Sequence, residues 1–198
     1  MKNSDTLESL VQENLNDGET VLWSGKPVGI KLLEAPYGSP IIIRWVVCLI
    51  FACVAIWYGL IFVPGSASID INSNVIMLVF LIIAVLVAVR PIMGINQLNK
   101  KYVYYITNQR ALILIKGVSN TVKQKPLTDA PEITTEMISE GRGNIFIGNM
   151  SDDKLKKARY SVLTPVQSEE DIAKPMVFYS VANPDEVISC FPAQNDSK

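Results

Sequence analysis

Apolar positions are bunched along this chain, and the bunching predicts a membrane hairpin before it predicts anything else. Ile41 to Val63 is an apolar run whose only formal charge is Arg44, one turn from its start. At 1.5 Å rise per residue such a run covers a hydrocarbon core of about 30 Å. Arg44 is placed to snorkel toward headgroups, and Trp45, Trp57 and Tyr58 lie toward the two ends, where interfacial aromatics anchor a span. A second run, Val75 to Val89, is a little short, so the helix is expected to continue through Arg90-Pro91 to about Ile95, with a kink at the proline. The predicted spans are therefore 41–63 and 75–95, joined by an external loop over 64–74. Cys48, Ala52, Ala55 and Gly59 recur on one face of the first span, and Ala84 and Ala88 on the second. Small residues at that spacing let helices approach closely, either within the hairpin or between copies of the chain.

Outside the spans the period changes. Residues 1–40 read as a short amphipathic helix followed by an extended Trp23-Ser-Gly-Lys-Pro27 segment. After the hairpin, Lys101–Thr107 and Arg110–Lys116 carry aromatic and aliphatic strand formers, with a tight turn between them in which Asn108 can take a positive φ. Further strands are expected over Thr121–Leu127, Glu132–Ser139, Asn144–Gly148 and Met176–Val181, with Gly141-Arg142-Gly143 as a hairpin turn. Asn183-Pro184-Asp185-Glu186 reads as a helix start, with Asn183 as cap and Val187, Ile188 and Phe191 as the buried face. The fold class is thus an α+β membrane protein: a two-helix hairpin plus a small β sandwich or barrel, residues 99–192, closed by a C-terminal helix. Residues 149–175, rich in Lys, Asp and Glu, look like an insertion in that domain, and 193–198 like a tail.

Charge then orients the hairpin. The 64–74 connection holds Asp70 and no Lys or Arg, whereas Lys26, Lys31 and Arg44 precede the first span and Arg90, Lys100, Lys101 and Arg110 follow the second. The positive-inside rule puts both termini in the cytoplasm of a multi-pass plasma-membrane protein. Formal net charge is −1, so no global field favours nucleic acid. The chain has no histidine, which removes the commonest general base and zinc ligand, and no Walker, Gly-x-Ser-x-Gly or metal-ligand pattern occurs. An enzyme is not expected, nor a cofactor or a metal. Cys48, Cys53 and Cys190 have no metal-site spacing and suit packing positions in a reducing compartment.

Four short blocks occur in order: Gly18-Glu-Thr-Val-Leu-Trp-Ser-Gly-Lys-Pro27, Tyr105-Ile-Thr-Asn-Gln-Arg110, Gly141-Arg-Gly-Asn-Ile-Phe-Ile-Gly148 and Phe178-Tyr-Ser-Val-Ala-Asn-Pro-Asp-Glu-Val187. Together they resemble the bacterial pleckstrin-homology-like membrane proteins. The resemblance implies two roughly orthogonal sheets with a capping helix, and a binding or assembly scaffold without shared catalytic residues.

Candidate contact residues follow. Trp23 and Lys26 either dock a partner or lipid headgroups, or belong to a segment packing on the soluble domain. Arg110 either binds a phosphate or pairs with an acid at a strand edge. Lys154, Lys156, Lys157 and Arg159 either face anionic lipid or sit in a solvated loop whose charge is offset by Asp152, Asp153 and Glu169-Glu170-Asp171. The leading functional expectation is a membrane-anchored scaffold binding a protein partner. The alternatives are an anionic-lipid surface sensor and an accessory subunit of a larger transport or secretion assembly.

Overall fold

The computed structural model describes residues 12, 15–62, 71–117, 120–127, 132–149, 151–163 and 176–191. The expected amphipathic helix near the N-terminus, most of the 64–74 connection, the later part of the 149–175 insertion and the tail lie outside the described residues. The elements are β1 (Val21–Gly25), α1 (Gly38–Phe62), α2 (Ile71–Lys101), β2 (Tyr102–Thr107), β3 (Arg110–Ile115), β4 (Thr121–Pro126), β5 (Ile133–Ser139), β6 (Arg142–Ile147), α3 (Asp152–Tyr160), a 3-10 turn over Ser161–Leu163, β7 (Met176–Ala182) and α4 (Pro184–Ser189). The class is α+β, and the chain divides into two compact units.

One unit comprises residues 1–29, 99–155 and 168–198. It holds two antiparallel sheets, ordered β1-β2-β3-β4 and β5-β6-β7. Strands β2 and β3 pair from Tyr102↔Ile115 to Ile106↔Ala111, which leaves Asn108-Gln109 as the turn. The apolar strand-formers expected there do form strands, and their density has a physical reason. Tyr104, Ile106, Ala111 and Ile113 face a core shared with Ile145, Ile147, Phe178, Val181 and Val187 of the second sheet and α4. Val103, Tyr105, Leu112 and Leu114 make a separate buried cluster on the other face, with Leu15 and Val122 packed on it. Both faces of these two strands are buried, so they read as nearly continuous apolar runs instead of a strict alternation.

The Trp23 segment is a full strand of this domain. β1 runs antiparallel to β2, with Trp23 opposite Ile106 and Gly25 opposite Tyr104, and an irregularity between Val21 and Trp23. It precedes both apolar helices in the chain, and its partner follows them.

Two turn expectations need correction. The β5–β6 turn is formed by Glu140 and Gly141, with Gly141 at φ 69°, while Arg142 and Gly143 already belong to β6. Among the described non-glycine residues, positive φ falls on Ser180 and Asn183, not on Asn108. Asn183, at φ 46°, makes no side-chain cap bond. Its N–H donates to the Gly141 carbonyl instead (2.9 Å), and its own carbonyl accepts the Glu186 N–H (3.0 Å), so the turn out of β7 starts α4. Val187 and Phe191 are buried and Ile188 is half-buried, as the helix pattern predicts.

The other unit comprises residues 30–98 and 156–167. Its two helices are long and apolar enough to cross a membrane. Both exceed the expected spans, since the backbone stays helical through polar flanks such as Gly38–Pro40 and, in α2, on to Lys101. α2 runs through Pro91 without ending. The two helices are antiparallel neighbours: the Trp45 indole N–H donates to the Ala88 carbonyl (3.0 Å) near the start of α1, and Gly59 near its end abuts the Met77 sulfur. Cys48, Ala52, Ala84 and Ala88 line a shallow apolar groove of about 370 Å³ between them. The small residues of the two helices thus border one groove, which leaves open whether a second copy of the chain also uses it.

Candidate functional site

Apart from Lys26, the cations singled out in the sequence fall into two groups. In the first, Arg110 at the start of β3 reaches a buried carboxylate from the N-terminal segment. Its Nε and Nη2 donate to Glu19 Oε1 and Oε2, each at 2.9 Å, a two-pronged geometry that suits a guanidinium facing a carboxylate. The Glu19 side chain is 0% exposed. Asn16 N–H donates to its Oε2 (2.8 Å), and Thr107 Oγ1 lies 2.7 Å from its Oε1. Arg110 also donates through Nη1 to the Gln124 side-chain oxygen. Burial opposes the charge on Glu19, yet the hydrogen bonds from Arg110, Asn16 and Thr107 and the guanidinium charge hold its carboxyl below the ordinary value.

Thr107 and Asn108 complete this lock. Thr107 Oγ1 accepts the Arg110 (2.9 Å) and Gln109 (3.2 Å) N–H groups that the tight turn leaves unpaired. Asn108 Oδ1 accepts the Thr20 N–H (3.0 Å), and its Nδ2 donates to the Gly18 carbonyl (3.4 Å). The Gly18-Glu-Thr and Thr107-Asn-Gln-Arg110 blocks, some ninety residues apart, therefore hold each other residue by residue. Arg110 is committed to an acid, the structural alternative of the two open in the sequence.

Trp23 is half-buried against the main core, its ring stacked on Phe178 at 6.4 Å, and Phe178 stacks on Tyr104 at 4.6 Å. The Tyr104 hydroxyl bridges the backbone of Tyr179, donating to its carbonyl (3.1 Å) and accepting its N–H (3.0 Å). A Cβ at Gly25 would run into the Trp23 ring, which is why this strand ends in glycine. Lys26, just beyond, is exposed.

A junction with no signal in the sequence pattern lies next to it. Ser180, fully buried, sits inside β7 at φ 53°, opposite an irregularity in the β6–β7 pairing between Gly143 and Ile145. Its N–H donates to Asn144 Oδ1 (2.9 Å), its hydroxyl donates to the Val28 carbonyl (2.6 Å), and its own carbonyl accepts the Val28 N–H (2.7 Å). Arg142 Nη1 adds a bond to the Gly29 carbonyl (3.1 Å). The chain leaving β1 is thereby tied to the second sheet. Only the pairing of a bulge with a buried amide reveals this, and neither is visible in a list of residue types.

The second cation group is on α3. The charged stretch expected as a solvated loop is helical over Asp152–Tyr160, with Asp152 and Asp153 in its first turn and Lys157 and Arg159 in its last, the arrangement that complements a helix dipole. Lys154, Lys156 and Lys157 are exposed, and Arg159 is half-buried with its guanidinium 5.9 Å from the centre of the Tyr160 ring.

Among the described residues no three His, Cys, Asp or Glu side chains gather where they could hold a metal ion, and every buried side-chain nitrogen and oxygen has a hydrogen-bond partner. Comparison with protein-family models, curated proteins and solved structures finds no match for the chain.

Proposed function

We propose that the chain is a non-enzymatic, membrane-anchored scaffold of the bacterial plasma membrane. On this reading α1 and α2 cross the bilayer as a hairpin, and the two-sheet unit is a cytoplasmic pleckstrin-homology-like domain that binds a protein partner during assembly of a membrane complex. The observation that carries it is the pairing of β1 with β2. A hydrogen-bonded sheet stays on one side of a bilayer, because unpaired backbone is too costly inside it. A chain that leaves the sheet before α1 and rejoins it directly after α2 would therefore cross an even number of times, a count that two apolar helices match. The positive flanks support a cytoplasmic position for the sheet. The four-plus-three strand arrangement with a helix packed on the core is what a pleckstrin-homology-like domain requires.

Cysteine labelling in intact cells tests the topology. In a background with Cys48, Cys53 and Cys190 replaced, a cysteine in place of Asp70 should react with an impermeant maleimide, and one in place of exposed Lys26 should not. The reverse pattern, or labelling at both, would overturn the orientation. In-cell photocrosslinking from Lys26 and from exposed Met137 on β5 should give a discrete protein adduct, and adducts to lipid alone would overturn the scaffold role.

A further inference from the structure

In the unit of residues 30–98 and 156–167, burial is confined to one end of the hairpin. Tyr37 and Ile41, at the start of α1, and Ile95 and Leu98, late in α2, are buried, and the helices beyond them are largely exposed. Residues 156–163 fall in this same unit, and Leu163 is 1% exposed. Leu163 is thus a buried residue of a unit whose other buried residues gather at that end, which brings the end of α3 and its turn to the same end. Arg44 and Arg90 belong to it too, since the Trp45–Ala88 hydrogen bond sets their two positions at about one level of the hairpin. The connection at the opposite end carries Asp70 and no cation.

This gives one unit an apolar shaft with all its nearby cations at a single end. From the sequence, Lys156 and Lys157 are part of a remote insertion; in the structure they are exposed, on the half of α3 that belongs to the hairpin's unit. We infer that Lys156 and Lys157, with Arg44 and Arg90, form a collar that binds the phosphate headgroups of anionic phospholipids in the leaflet at this end. The inference rests on α1 and α2 crossing a membrane. At that depth a cation meets a negative surface potential that strengthens its partition about fivefold. Asp152 and Asp153 stand four positions before the two lysines, but an exposed pair at that spacing is worth less than a cation held at a charged surface. Arg159, over the Tyr160 ring, adds the amphipathic pairing of cation and aromatic that suits a headgroup layer.

The test uses the full chain in nanodiscs of phosphatidylcholine with a minority of phosphatidylglycerol, and reads the lipids retained by native mass spectrometry. Phosphatidylglycerol should be enriched over its bulk share, less so at high salt. K156Q/K157Q should lower that enrichment severalfold, and K156R/K157R should keep it. No enrichment in the parent chain, or equal enrichment in K156Q/K157Q, overturns the collar. Alkaline carbonate extraction separates the two levels of the argument: a chain released from membranes overturns the hairpin itself, whereas a chain retained without lipid preference overturns the collar alone.

Discussion

At the residue scale, the buried Glu19–Arg110 pair decides how the N-terminal segment is held. Removing one partner of a buried pair leaves an uncompensated charge, so Arg110→Ala should cost about 3 kcal/mol in a thermal or denaturant titration of the detergent-solubilised chain. Glu19→Gln in the Arg110→Ala background should recover part of that loss, a coupling that independent sites would not show. The lowered Glu19 pKa adds a pH signature. A carboxyl with a depressed folded value contributes stability that is fully present above its ordinary value near 4.5 and is lost as pH falls through the lower folded one. The acid limb of stability should therefore be shallower in Glu19→Gln than in the parent chain. Ser180 gives a second residue-scale expectation. Ser180→Ala loses the bond to the Val28 carbonyl and keeps the strained φ of 53°, whereas Ser180→Gly loses the same bond and relieves the strain. The alanine variant should melt lower than the glycine variant, by about 1 kcal/mol.

At the element scale, the hairpin depends on close approach at Gly59, where an added Cβ would sit 2.5 Å from the Met77 sulfur. Gly59→Leu should destabilise the solubilised protein by about 1–3 kcal/mol through overpacking, and adding Met77→Ala should restore much of the loss. Comparison with the sequence is most instructive for elements. Strands β2 to β7 were legible because Tyr104-Tyr105-Ile106, Leu112-Ile113-Leu114 and Val177-Phe178 leave the backbone few alternatives. The helix ends were not, because an apolar run measures hydrocarbon thickness, and the backbone hydrogen-bond ladder goes on into polar residues. Helix α3 was missed for a related reason: Asp152–Tyr160 has no residue buried, so its apolar face gives almost no periodic signal. The role of Arg110 was half legible. A strand-edge arginine asks for an acid, but nothing in local sequence points to Glu19, ninety-one positions earlier.

At the scale of the whole molecule, the two-sheet unit is assembled from chain on both sides of the hairpin. A fragment from Asn99 to Lys198 looks like a domain in the sequence, yet it lacks β1, Glu19 and the Val28 contact with Ser180. It would expose the free edge of β2 and strand Arg110 without its carboxylate. Expressed alone, this fragment should aggregate, whereas residues 15–29 fused to it through a flexible Gly/Ser linker should give a soluble, monodisperse unit on size-exclusion chromatography. Equal behaviour of the two would show that β1 is dispensable. Lipid and partner measurements on the soluble unit therefore call for the fused form.

The pairing of β1 with β2 also sets an order of events in time. The ribosome makes β1 and Glu19 first, then both apolar helices, and only then Arg110 and the strand that β1 needs. At about 5–20 residues per second, the ninety-one residues from Glu19 to Arg110 take roughly 5–18 seconds to synthesise. During that interval β1 has no partner of its own. The sheet can close only after both helices have been synthesised, so completion of the domain reports, within each molecule, that both apolar helices have already been made.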